Sequence, residues 1–212
     1  MKRRALMFCA LFLLILPTSF VFAQAFTKVQ AIPENPDDDD RFSVNYRFNE
    51  PGDQYIKLSL MITFPLNFDG DFPLYRSGQL STGGAGNLGY HRFITSTFIV
   101  GFDVNFGYNP TIGENMFTYV PFMLTFTYQP TFKRLEFPVT LGIGCAFESY
   151  LNRTYFPGLV LKPQIGIYYR VTASWSFGIN GEYMYMPQWY SDSENDDYGL
   201  FASIAIAARY HF

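Results

Sequence analysis

From residue 54 to the end of the chain, apolar and polar residues change places at almost every step. The segment FIVGFDVNFGY (98–108) is the plainest case. Phe98, Val100, Phe102, Val104, Phe106 and Tyr108 fall on one side, and Ile99, Gly101, Asp103, Asn105 and Gly107 on the other. Period-two alternation puts these sets on opposite faces of a β-strand. Six consecutive apolar positions on one face leave two arrangements. A soluble sandwich turns that face inward; a membrane barrel turns it outward, to lipid.

Eight such runs follow one another: Tyr55–Leu66, a run within Gly84–Ile94, Phe98–Tyr108, Phe117–Tyr128, Glu136–Phe147, Leu159–Val171, Trp175–Met186 and Gly199–Phe212. Their connections alternate in length. Thr95–Thr97, Gln129–Arg134 and Thr172–Ser174 are short; Asn67–Gly83, Asn109–Asn115, Glu148–Pro157 and Pro187–Tyr198 are long. Short turns at one end and long loops at the other are the layout of an up-and-down membrane barrel, and a Greek-key sandwich does not sort its loops this way. The runs also suit the length a tilted strand needs to cross a bilayer.

The chain ends support the same choice. MKRR precedes an unbroken apolar run, Leu6–Leu16, ended by Pro17, and Val21-Phe22-Ala23 places small residues, Val21 and Ala23, where signal peptidase needs them. That is the pattern of a secretory signal peptide cut after Ala23, too short to span a bilayer. No later segment is apolar enough for a transmembrane helix, so an exported chain of this kind is either soluble or a barrel. Removing Lys2, Arg3 and Arg4 with the signal takes the formal charge from −3 to −6, which leaves no basic face for nucleic acid. Of the two cysteines only Cys145 remains, so no internal disulfide forms.

The less apolar face decides between sandwich and barrel. On a sandwich it would meet bulk water and be rich in Lys, Glu and Arg. Here it is mostly Gly, Ser, Thr, Asn and Ala with scattered charges, which suits the narrow lumen of eight strands. The apolar face carries aromatics towards both ends: Phe98, Tyr128, Tyr169 and Trp175 near the short turns, and Tyr108, Tyr183 and Tyr185 near the long loops. Aromatic girdles at the two membrane boundaries have this placement. The expected fold is therefore all-β: an eight-stranded antiparallel up-and-down transmembrane β-barrel over residues 54–212. A signal peptide (1–23) and an acidic, Pro-rich periplasmic lead-in (24–53) precede it. Asp37–Asp40 in that lead-in is read as solvated; four adjacent carboxylates make a calcium site only in a shaped loop.

With this orientation Asp103 points into the lumen, together with Lys57, Lys162, Gln164, Arg170, Asn180, Glu182 and Arg209. Lys162 and Glu182 come out at similar heights on adjacent strands, and Asp103 nearer the level of Lys57 and Arg209. A hydrogen-bonded polar plug is the favoured reading and a water or ion path the alternative, because eight strands leave little open space. In LGYHRFI, His91 and Arg92 cannot both point inward without a bulge, so the register of that run stays open.

The last strand, SIAIAARYHF, ends on Phe212 with Tyr210 two residues earlier. This resembles the C-terminal signal that bacterial outer-membrane barrels present to their assembly machinery, which implies that Tyr210 and Phe212 are the recognised positions. The whole mature region resembles the small eight-stranded outer-membrane barrels, the OmpW-like, OmpX-like and opacity-like group. GDQYIKLSLMITFPLNF (52–68) and the strand–short-turn–strand grammar are most similar to OmpW-like barrels and to spirochaetal ones. The resemblance implies an outer-membrane location and lipid contact, and two kinds of role. OmpX- and opacity-like members are associated with surface interaction, OmpW-like members with passage of small hydrophobic molecules through a lateral opening.

Three functions compete on the residues. The acid-rich loop PQWYSDSENDDYG (187–199), with Trp189 and Tyr190, is a candidate contact with a host or environmental ligand, or simply a solvated loop. Phe201, Met184 and Met186 on inward faces near the long-loop rim are a candidate apolar pocket for solutes, or rim packing. A lipid-modifying enzyme needs a nucleophile and a base in reach. His211 lies at the terminal end and His91 has no evident Ser and carboxylate partners, so no catalytic residue, cofactor or metal site is assigned.

Overall fold

The computed structural model describes residues 49–69, 80–111, 115–150, 153–188 and 197–212. The signal peptide, residues 24–48 of the lead-in, Asp37–Asp40 and most of the acidic loop lie outside them. The strands are β1 (Gln54–Asp69), β2 (Gly83–Phe93), β3 (Phe98–Pro110), β4 (Met116–Tyr128), β5 (Thr131–Phe132), β6 (Leu135–Glu136), β7 (Val139–Tyr150), β8 (Arg153–Arg170), β9 (Trp175–Gln188) and β10 (Asp197–His211). Every pairing is antiparallel. Eight long strands form a closed ring in which β1 pairs with both β2 and β10, and β8 with both β7 and β9. Closure leaves none of the eight long strands with an unpaired edge, which hydrocarbon would not tolerate; only the short β5, at a turn, has a single neighbour.

Alternation in the sequence becomes alternation in burial. β3 reads exposed–buried from Phe98 to Pro110 with one half-buried position, Val104, and the even-numbered apolar side chains form the outer wall. Leu60, Phe106, Ile165, Ile204 and Ile206 on that wall are all more than 60% exposed, although each is strongly apolar. An apolar belt of this extent on a chain whose interior is polar is the reverse of a soluble domain, and it is the expected outer surface of a lipid-embedded barrel.

Three departures from regular pairing have local causes. Between β7 and β8 the register shifts between Ala146 and Glu148, and Gly158, opposite Ala146, takes a φ of 99°. The shift breaks the period, so a stretch that reads as a loop (148–157) is a continued hairpin, with β7 running to Tyr150 and β8 starting at Arg153. Glu136, read as the start of a long strand, belongs to β6 and pairs with Tyr168 of β8. Pro138 interrupts the strand there, since it has no N–H to donate. The β3–β4 ladder lapses between Val104–Phe122 and Gly107–Tyr119, where Pro121 stands.

The β2 register is regular. Tyr55 pairs with His91 and Gln54 with Arg92, so His91 is buried inside and Arg92 is exposed outside, with no bulge.

Candidate functional site: the filled lumen

The inward side chains stack in tiers. At the short-turn mouth, Glu136 on β6 accepts from Arg170 Nη1 (3.2 Å) and Arg209 Nη1 (3.3 Å). Asn49, just before β1, is buried beside them: its Nδ2 donates to Glu136 (3.4 Å) and its Oδ1 accepts from Arg170. Arg209 also donates to Gln129 Oε1 at 2.8 Å. Alongside, the Ser176 hydroxyl lies 2.9 Å from His211 Nε2.

Above this, the Arg209 guanidinium lies 3.3 Å from the ring centroid of Tyr168 and 4.9 Å from that of Tyr55. Tyr55 stacks in turn on His91, with centroids 4.6 Å apart and planes 14° apart. Cation–π contact is worth more once water is removed, and both rings are buried.

The middle tier is built around Asp103. Lys57 Nζ lies 2.8 Å from Asp103 Oδ2, and Asn87 Nδ2 donates to the same oxygen at 2.9 Å. His91 Nε2 is 3.0 Å from Oδ1, at ion-pair distance but off hydrogen-bond alignment. Thr125 Oγ1 is 3.4 Å from the other ring nitrogen of His91. On the facing wall Lys162 donates to Glu182 at 2.9 Å, and Asn180 to the Tyr168 hydroxyl at 2.7 Å. Buried charges are stabilising only when paired and hydrogen-bonded, and each of these carboxylates meets a cation.

Towards the long loops the lumen turns apolar. Leu80, Phe117, Tyr119, Met123, Ala146, Val160, Met184, Met186 and Phe201 form one buried cluster. Between it and the polar tiers, a cavity of about 10 Å³ is bounded by residues including Asn105, Tyr119, Lys162, Glu182 and Ser203. That is room for about one water.

The expected lumen residues thus do not form one network. Lys57 joins Asp103, and Lys162 joins Glu182. Arg170 and Arg209 go instead to Glu136, a residue outside the expected set. Gln164 is buried opposite Glu182 in the β8–β9 register, and its Nε2 has no partner among the described residues. His91, Asn87, Asn105, Gln129, Asn49 and the rings of Tyr55 and Tyr168 complete the filling. Alternation continued from Leu88 and Tyr90 would have placed His91. His91, expected to have no Ser and carboxylate partners, lies against Asp103 and Thr125, and His211, in the terminal strand, lies against Ser176. Asp103, His91 and Thr125 are each at most 1% exposed, so the contact is closed to any substrate in this conformation. Among the described residues no group of three or more side chains is arranged to hold a metal ion.

On the outer wall, Phe98, Tyr108, Tyr128, Tyr169, Trp175, Tyr183, Tyr210 and Phe212 are exposed and Tyr185 is half-buried.

A family model matches residues 36–210. An uncharacterized protein of Treponema pallidum (strain Nichols) is 30% identical over 194 residues, covering 87% of each chain. The chain belongs to that treponemal family. A second protein of the same organism is 30% identical over 109 residues, 48% of this chain and 37% of its own length. Among solved structures, the treponemal-type barrel is similar to Neisserial surface protein A (TM-score 0.54, 12% identity, 76% of this chain and 99% of that one). It is also similar to the outer membrane protein OprG of Pseudomonas aeruginosa (TM-score 0.51, 11% identity, 77% and 97%). At such identities the likeness is one of fold: the family has the architecture of small bacterial outer-membrane barrels.

Proposed function

We propose that the protein is exported, its signal removed after Ala23, and inserted into a bacterial outer membrane as a closed barrel whose long loops meet the environment or a host. The observation that carries the closed state is charge balance in a filled lumen. Among the described residues four buried cations, Lys57, Lys162, Arg170 and Arg209, are matched in number by four buried carboxylates, Asp103, Glu136, Glu148 and Glu182. An ion path would need continuous water; here polar tiers and an apolar cap succeed one another. Exposed Tyr210 and Phe212, with Trp175 against Tyr210 at 5.1 Å, support recognition of the last strand by the assembly machinery. The acid-rich loop with Trp189 and Tyr190 supports a surface-contact role. The refolded protein in a planar bilayer is expected to show no steady conductance, and a stable single-channel current would overturn the closed-barrel reading. Cells bearing the barrel, compared with cells bearing a version lacking 189–196, test contact with a host surface.

One feature favours a second reading, passage of small apolar solutes. The β3–β4 ladder lapses at Pro121, beside Tyr119 and Met123 of the apolar cluster. Uptake of a hydrophobic dye into proteoliposomes, without ionic current, would support it.

A further inference from the structure

Asn49 is buried in the short-turn mouth, while the next two residues, Glu50 and Pro51, are exposed. Between it and β1 runs Glu-Pro-Gly-Asp, a turn by its chemistry, with proline second and glycine third. Gly52 has a φ of 100°, the value that the third position of a type II turn needs and a side chain resists. Asp53 N donates to Glu50 O (3.1 Å) and Asp53 Oδ2 accepts from Glu50 N (3.0 Å), so the turn is braced from inside. It is also fastened to the rim. Gly52 N donates to Phe93 O, Phe93 N donates to Asp53 O, and Gln54 and Phe212 exchange both of their backbone bonds. A braced turn fixed to the ends of β2 and β10 thus aims the residue before it into the mouth.

What Asn49 meets stands elsewhere on the ring. Arg170 is on β8, which is reached from β1 through β10 and β9. Its Nη1 donates to Asn49 Oδ1, and Asn49 Nδ2 donates to Glu136 Oε1 at 3.4 Å. The guanidinium takes the carbonyl end of the carboxamide and the carboxylate takes the N–H end, so both halves of the amide are read. A carboxylate of the same shape would set an oxygen against Glu136. An apolar side chain would offer neither charge a partner.

We propose that Asn49 is a latch. Its carboxamide, held by Arg170 and Glu136, keeps the chain at residue 49 across the short-turn mouth, and its release uncovers the first polar tier of the lumen. Access to that tier is then set by the chain ahead of the barrel, with the Glu50–Asp53 turn as a fixed base. Exposed Glu50 adds a surface contact, which is worth little beside a buried one. The tiers above stay filled when the latch opens.

A thiol placed in the mouth tests this. Ser176 is fully buried and stands opposite Arg170 and Arg209 in its two ladders. Ser59, also buried, lies deeper, opposite Asn87 and Ala207. The full chain with Cys9→Ala and Cys145→Ala carries either Ser176→Cys or Ser59→Cys. It is refolded in detergent micelles and treated with a small water-soluble methanethiosulfonate. In the parent both sites are expected to react slowly. Asn49→Asp is expected to speed reaction at 176 about tenfold or more, as loss of a hydrogen bond to a charged group does, and to leave 59 unchanged. Adding Glu136→Gln to Asn49→Asp puts carboxylate and amide in each other's places, and is expected to bring the rate at 176 back to within about threefold of the parent. Fast reaction at 176 in the parent, an unchanged rate with Asn49→Asp, or a rise at both sites overturns the latch. So does an exchange variant that stays fast.

Discussion

Gly107 on β3 lies directly under the ring of Tyr119 on β4: a Cβ built there would fall 2.1 Å from Tyr119 Cζ. The two are register partners, both buried. Gly101 seats the His91 ring in the same way, with a built Cβ 2.2 Å from Nδ1. Inward glycines on this barrel are therefore seats for large neighbours, and the lumen is filled by alternating small with large.

Gly107→Ala should then cost about 1–3 kcal/mol, as overpacking does. Gly86→Ala is the control, because the nearest atom to its built Cβ is 3.9 Å away. Urea titrations of both variants in vesicles, followed by tryptophan emission, make the comparison. Equal midpoints would mean that Tyr119 moves aside freely.

Alternation in the sequence fixes which side of the wall each residue takes, and this is why the closed barrel was legible. Partner choice was not. Whether Arg209 meets Asp103 or Glu136 depends on strand tilt and shear, properties of the ring that no strand encodes alone. Glu136 keeps the inward phase of Pro138 and Thr140, so its face was legible; its role was not, because it depends on Arg170 and Arg209 reaching it from other strands. The extent of β7 and β8 was misread because the register shifts between Ala146 and Glu148, beyond which Glu148–Tyr155, Ser149–Thr154 and Tyr150–Arg153 are still paired. Asn49 carries no pattern at all; it enters the mouth from a turn.

Lys57→Met leaves Asp103 buried with only His91 and Asn87 against it. Breaking a buried pair from one side costs about 3–5 kcal/mol. Removing both charges with Lys57→Met and Asp103→Leu should recover most of that loss, since an apolar pair pays no desolvation. A double-mutant cycle on unfolding free energy checks the coupling. If the double variant is as unstable as the single, the pair's shape matters more than its charge.

Depth on the outer wall should also be readable. Ile206 faces Leu60 and Ile179 in its two ladders, in the middle of the apolar belt. Ile206→Arg is expected to cost about 2–4 kcal/mol, and Phe98→Arg at the short-turn boundary about 0–1 kcal/mol. Equal costs in lipid vesicles would displace the belt from where the exposed side chains put it.

The tiers of the lumen predict which one holds it shut. Arg209 is the link between two of them: its guanidinium pairs with Glu136 and Gln129 below and lies against Tyr168 and Tyr55 above. Arg209→Ala removes all four contacts at once. Arg170 still meets Glu136, so the mouth keeps part of its charge pairing, and the loss should be about 3 kcal/mol. The space left is polar and continuous with the short-turn end, so water enters it and the two rings lose their clamp. Brief conductance steps are then expected in a planar bilayer, where the parent is silent. Phe201 behaves differently. Phe201→Ala opens the apolar cap, but the Lys162–Glu182 and Lys57–Asp103 tiers still fill the section beneath it. That variant should lose stability by about 3–5 kcal/mol, as large-to-small core changes do, and remain silent. The opposite result, current through Phe201→Ala and none through Arg209→Ala, would move the barrier to the long-loop end and make the apolar cap the part that closes the barrel.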